Sequence, residues 1–163
     1  MEYDVKEFIV KCQRDRYTKP IKEIIHPFRN GYKFVTKQNG YEFLDLQWGN
    51  ILTTGQTIVL IDKVPVWYLQ RQGGFVNEYI SNEEIVNHTE FLYEQMRKVS
   101  LEWDIPIRGP LGTTKKVGNV TRKYRKTLSV NSTLHKFTGR DSIIVGTKAI
   151  HYMNFRGGLI VQR

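Results

Sequence analysis

Arg108, His135, Lys136 and Asp141 come nearest to a reaction centre in this chain. A base, an acid and two cations are part of what a metal-dependent phosphodiesterase needs, because hydrolysis requires an activated nucleophile, a base and a charge stabiliser brought together. The rest of the sequence does not complete that set. The four histidines, His26, His88, His135 and His151, are scattered, and no second His or Cys stands at metal-ligand spacing. Paired acids at nuclease-like spacing, a P-loop and a G-x-G-x-x-G run are all absent. The sequence leans against an enzyme and assigns no catalytic residue, metal or cofactor.

Binding chemistry is better represented. Trp48, Trp67, Tyr68 and Tyr152 fall on or beside strand-like segments, and Arg108 sits in a turn stiffened by Pro106 and Pro110. Aromatic faces can stack on a nucleobase, and a guanidinium fork suits its phosphate. The same aromatics on alternating strands would also serve as ordinary core. The pairs Gly73-Gly74 and Gly157-Gly158 mark bends, or places where a ligand passes over bare backbone. These residues point to a non-enzymatic module that binds or sequesters a nucleotide-like or phosphorylated small molecule in a cleft between two repeats. A phage-type antagonist of nucleotide signalling would use such a module.

Charge supplies the alternative. Nine basic residues and no acid lie between Ile105 and Arg140, and without them the remaining 16 basic residues match the 16 acidic ones. A segregated positive field favours a polyanion. Lys115, Lys116, Arg122, Lys123, Arg125 and Lys126 would then contact nucleic-acid phosphates while Tyr124 stacks on a base. A protein-interaction module meeting an acidic partner is the second alternative.

The elements that position these residues are written twice. Shifted by 84 positions, the segment from Thr54 to Val76 falls on Thr138 to Ile160. Thr54, Gly55, Tyr68, Gly73 and Gly74 meet identical residues, and seven apolar positions meet apolar ones. Each copy reads as a β-hairpin. Ile58–Ile61 turns at Asp62-Lys63 into Val64–Leu69, where Pro65 marks a strand start or an edge. Ser142–Val145 turns at Gly146-Thr147 into Ala149–Met153.

Upstream, Val5, Phe8, Ile9 and Cys12 make a helical stripe over Met1 to about Tyr17, and prolines then predict an extended or turn-rich linker from Thr18 to Asn30. Asn39-Gly40 predicts a hairpin turn between Tyr32–Lys37 and Tyr41–Leu46. Ser81 with Glu84 makes a capping box for a helix from Asn82 to about Ser100. GTTKKVGN reads as a mobile basic loop, and Val120–Val130 as an edge strand because it is rich in Lys and Arg.

The expected fold is α+β: two pseudo-symmetric antiparallel hairpin repeats, about 54–76 and 138–160, form a sheet packed with an N-terminal and a central helix. A single domain holds both halves, about 31–80 and 118–163, with the central helix over about 82–100. The length suits one core, and edge strands in both halves allow a homodimer. No apolar run reaches membrane-spanning length, the N-terminus lacks signal-peptide order, and one cysteine, Cys12, excludes an internal disulfide. A cytoplasmic protein is the expectation.

With these motifs in view, the chain resembles a bacterial and archaeal family of unknown function, the domain of unknown function 5680, often found behind a helix-turn-helix. Phe8-Ile9, Cys12 and Tyr17 resemble its opening helix, and Asp45-Leu46-Gln47-Trp48-Gly49 its Asp-Ser-Tyr-Phe-Gly segment. Pro65-Val66-Trp67-Tyr68 is similar to its Pro-Val-Trp strand, Pro106-Ile107-Arg108-Gly109-Pro110 to its Pro-Phe-Arg-Gly-Pro, and Gly157-Gly158-Leu159-Ile160 to its C-terminal signature. The family pattern places an acid two residues past the glycine in both repeats. This chain has Asp141 after Gly139 but Thr57 after Gly55. Met1 already lies close to the family's first helix, so the helix-turn-helix is not expected here. The resemblance implies a fold and no activity.

Overall fold

Glu2–Thr18 winds into helix α1, and the stripe of Val5, Phe8, Ile9 and Cys12 is its buried edge. The computed structural model describes residues 2–18, 23–24, 31–49, 51–76 and 81–160. Most of the linker expected over Thr18–Asn30 lies outside the described residues, as does His26. Within it, Glu23–Ile24 forms a short strand, β1. Strands β2 (Gly31–Gln38) and β3 (Tyr41–Trp48) follow, joined at Asn39 and Gly40, whose φ angles of 50° and 80° are those the Asn-Gly signal predicts. Next come β4 (Leu52–Ile61) and β5 (Val64–Phe75), then helix α2 (Asn82–Met96). The chain closes with β6 (Gly112–Val117), β7 (Val120–Leu128), β8 (Phe137–Val145) and β9 (Lys148–Leu159).

All nine strands join one antiparallel sheet in the order β1-β2-β3-β4-β5-β9-β8-β7-β6. Both helices lie on one face, as the period of two demands of a sheet covered on one side. Under α1 pack Phe43, Val59, Trp67, Leu69, Phe137 and Phe155. Phe91, Leu92 and Met96 of α2 meet Tyr124 and Ile143. Among the described residues no helix covers the opposite face of the sheet.

Four expectations need correction. GTTKKVGN is not a loop, because Gly112–Val117 pairs along its length with β7 and the chain reverses at Gly118-Asn119. Consequently β7 is not an edge; β6 covers it, and the edge lysines are Lys115 and Lys116. Helix α2 stops at Met96 rather than near Ser100, and the fully buried Val99 reaches the core from the turn that follows. Finally, no cleft divides the two hairpins. Strands β5 and β9 pair directly from Trp67↔Leu159 to Phe75↔His151.

The α2 start is the predicted capping box. The Ser81 hydroxyl accepts from Glu84 N–H, and the Glu84 carboxylate accepts from Ser81 N–H, both at 3.2 Å. Ser81→Ala should therefore lower stability by about 1 kcal/mol, read as a shifted urea midpoint with an unchanged slope.

Candidate functional site

Register sets out the open face row by row, since residues opposite one another on paired strands share a face. One row runs Trp48, Thr54, Gln72, Asn154, Arg140 across β3, β4, β5, β9 and β8. The next runs Leu46, Gln56, Gln70, Arg156, Thr138. Trp48, Thr54, Gln56, Gln70, Gln72, Asn154, Arg156 and Thr138 of these rows line a hollow of about 630 Å³, together with Gly55, Arg71, Gly139 and Phe155, while Arg140 and Leu46 stand beside it in the register. Tyr68 and Tyr152 stand one row out on opposite sides, two residues from Gln70 and Asn154.

The polar groups in and beside the hollow are already oriented. Arg156 Nε donates to Gln70 Oε1 at 3.0 Å, and Arg140 Nε donates to Asn154 Oδ1 at 2.8 Å. The Arg140 guanidinium also lies over the Tyr152 ring at 5.1 Å. Amides, the Arg156 guanidinium with that of Arg140 beside it, and Trp48, with no carboxylate among the described lining residues, suit a planar, polar, anionic ligand.

Only some of the residues singled out in the sequence meet there. Trp48 lines the hollow, and Tyr68 and Tyr152 border it, half-buried. Trp67 does not, because its side chain is fully buried against Phe137 in the core. Arg108 is 3% exposed on the helix side of the sheet. The glycines admit the protein's own backbone rather than a ligand. A Cβ at Gly73 would stand 2.1 Å from the Tyr152 carbonyl oxygen, at Gly74 1.9 Å from that of Ile51, at Gly157 2.2 Å from that of Tyr68, and at Gly158 2.0 Å from that of His135.

The nucleic-acid set is split by strand alternation. Arg122, Tyr124 and Lys126 turn inward and are buried, so they cannot meet a polyanion laid on the surface. Lys115 pairs with Glu94 at 2.5 Å. Lys116 is exposed on the edge strand, while Lys123 and Arg125 are exposed on the open face beside Ile144 and Ser142. The phosphodiesterase set separates as well: His135 and Lys136 are exposed on the β7–β8 connection, whereas Asp141 is fully buried.

Beneath the helices lies a polar interior that the sequence only hinted at. Asp45 receives Arg16 Nε and Arg71 Nη2, each at 2.9 Å, and the Thr57 hydroxyl at 2.6 Å. Thr57 is the register partner of Asp45. Asp141 takes the Arg108 Nε and the Tyr124 hydroxyl, the latter at 3.2 Å. Arg108 itself has φ 55°, which a non-glycine residue adopts only when held. Gln13 of α1 holds it, accepting Arg108 N–H and donating to the Pro106 carbonyl, both at 3.0 Å.

Charge states follow from this packing. Burial opposes the Arg108 charge, but Asp141 outweighs it and raises the pKa. Burial lowers Lys126 to about 8 and His151 to about 4, so His151 is a neutral imidazole at pH 7. For Asp45, burial alone would raise the pKa; Arg71 and Arg16, aided by hydrogen bonds from Arg71 and Thr57, outweigh it and hold the carboxyl below its ordinary value. A depressed folded-state pKa adds stability that is fully present above the unfolded value of about 3.9. That stability is lost as pH falls through the folded value. Urea midpoints should therefore hold level from about pH 7 to 5 and fall below about pH 4. Asp45→Asn, destabilised throughout, should show a shallower acid limb.

An α+β protein with one helix-covered and one open, polar sheet face is thus the class the geometry defines. Residues 45–160 match the family model described as Domain of unknown function (DUF5680), and the chain belongs to that family. Comparison with curated proteins and with solved structures returned no match. Among the described residues no helix is long and apolar enough to cross a membrane, and no cluster of three or more His, Cys, Asp or Glu side chains could hold a metal ion.

Proposed function

We propose that this protein is a non-enzymatic binding module that takes a nucleotide-like or otherwise phosphorylated small molecule in the hollow on the open sheet face. One observation carries the reading: Trp48, four amides and Arg156 line that hollow without a carboxylate among them. Trp48 would stack on the base, Gln56, Gln70, Gln72 and Asn154 would hydrogen-bond its edges, and Arg156 and Arg140 would take the phosphate. The hollow lies across a duplicated unit of one helix and four long strands. Support for duplication comes from the β5–β9 register, where Leu69↔Gly157 and Gly73↔Met153 exchange under the 84-residue shift. The irregularities at Val59/Leu60 and Ile143/Ile144 are related by the same shift.

Native mass spectrometry of protein taken directly from cells tests the reading. A discrete phosphorylated mass, retained in the wild type and lost in Trp48→Ala and Arg156→Ala, is the expected result. A wild type that carries no mass and binds no member of a nucleotide panel by calorimetry would overturn it. Lys123, Arg125, Arg140 and Arg156 share the open face, which favours single-stranded nucleic acid as the second reading. Binding that weakens steeply with salt, and that Lys123→Ala/Arg125→Ala abolishes, would select it.

A further inference from the structure

The inner face of the sheet carries more positive charge than its carboxylates balance. Arg16, Arg71, Arg108, Arg122 and Lys126 are each 8% exposed or less, while Asp45 and Asp141 are the buried acids among the described residues. Asp45 serves both Arg16 and Arg71. Arg122 donates to the His88 ring nitrogen at 3.0 Å, and Lys126 to the Ile107 carbonyl at 2.9 Å, neither of which is a counter-ion. Buried charge in such surplus is costly unless an anion meets it.

Two of these cations converge. Arg71 and Arg108 line a chamber of about 90 Å³ between α2 and the sheet, together with His151, Tyr93, Thr89 and Gln47, and no carboxylate is among its described lining residues. His151 is only 4% exposed, and its Nδ1 has no hydrogen-bond partner. A water occupies about 30 Å³ of liquid, so the chamber suits one small oxyanion better than any nucleoside. We propose that it binds a small oxyanion of the phosphate or carboxylate class between Arg71, Arg108 and His151. The two guanidinium groups supply charge-assisted donors and His151 supplies Nδ1–H. Gln13, by clamping the left-handed backbone at Arg108, positions the second of these donors. This site lies on the helix side of the sheet, shares only Arg71 with the described lining of the hollow, and does not depend on that reading.

Inorganic phosphate and acetate are the probes, each titrated against chloride at constant ionic strength while the melting temperature is followed. The expected result is a saturable rise with at least one of them, since a ligand held only by the folded state stabilises it. The apparent Kd should weaken by roughly tenfold or more in His151→Leu, as loss of a hydrogen bond to a charged group implies, and stay unchanged in Arg156→Ala on the open face. Which probe saturates lower assigns the tetrahedral or planar anion. A flat or unsaturable response to both, or a response equal in His151→Leu, overturns the proposal. Long-range proton–nitrogen NMR of the wild-type His151 ring gives a readout that needs no variant. A saturable shift of Nδ1 with the anion supports the site, and an unmoved resonance overturns it.

Discussion

Replacing Arg108 with alanine should destabilise the protein by roughly 3–5 kcal/mol, the range seen when one partner of a buried ion pair is removed. Asp141 is fully buried, and beyond Arg108 its carboxylate has, among the described residues, only the Tyr124 hydroxyl as a hydrogen-bond partner, with Oδ1 unpartnered. Without the guanidinium its carboxylate is left without its charged partner in a dry site. Arg108→Met combined with Asp141→Leu should recover a large part of the loss, because an apolar pair of similar volume carries no desolvation penalty. Urea unfolding followed by circular dichroism separates the cases. A single-variant loss under about 1 kcal/mol would show that the pair is solvated and that the buried-charge account of the interior is wrong.

Trp67→Ala should cost a similar amount, roughly 3–5 kcal/mol, for a different reason. Trp67 is the largest fully buried side chain among the described residues, and truncation leaves a cavity between α1 and the sheet that Phe137 and Leu69 can only partly fill. Trp67→Phe should lose clearly less, and its open-face binding should equal that of wild type. A Trp67→Phe protein that folds well but binds no ligand would return Trp67 to the site and displace Trp48 as the stacking residue. Denaturation midpoints and ligand titration on the same preparations decide between these outcomes.

Why Trp67 and Trp48 could be exchanged in the sequence is instructive. Both are tryptophans on strands, and alternation fixes which positions share a face but not which face the helices cover. Val59, Trp67 and Leu69 announce a core, yet Trp48 stands three residues beyond Asp45 on the other parity, and only the register with Thr54 shows it on the open side. Gln70 and Gln72 could have been found. The 84-residue shift sets them on Asn154 and Arg156, so both copies carry paired polar residues in the middle of their longest strand. The hairpins at Asn39-Gly40 and Asp62-Lys63, the capping box at Ser81 and the α1 stripe were legible because local chemistry determines each. Arg108 in its left-handed conformation was not. Its geometry depends on Gln13, 95 positions away in the chain, and no local pattern encodes that distance.

The strand order has a kinetic side. Every ladder in the sheet except β5–β9 joins strands that are consecutive in the chain. Such hairpins close in about 1–10 μs, whereas β5 must wait for α2 and three further strands before β9 can reach it. Closure of that one long loop therefore governs the folding rate. It is also the step that a neighbouring molecule can complete instead. In concentrated refolding mixtures β5 of one chain can receive β9 of another, giving an exchanged dimer whose two globules are each built from two polypeptides.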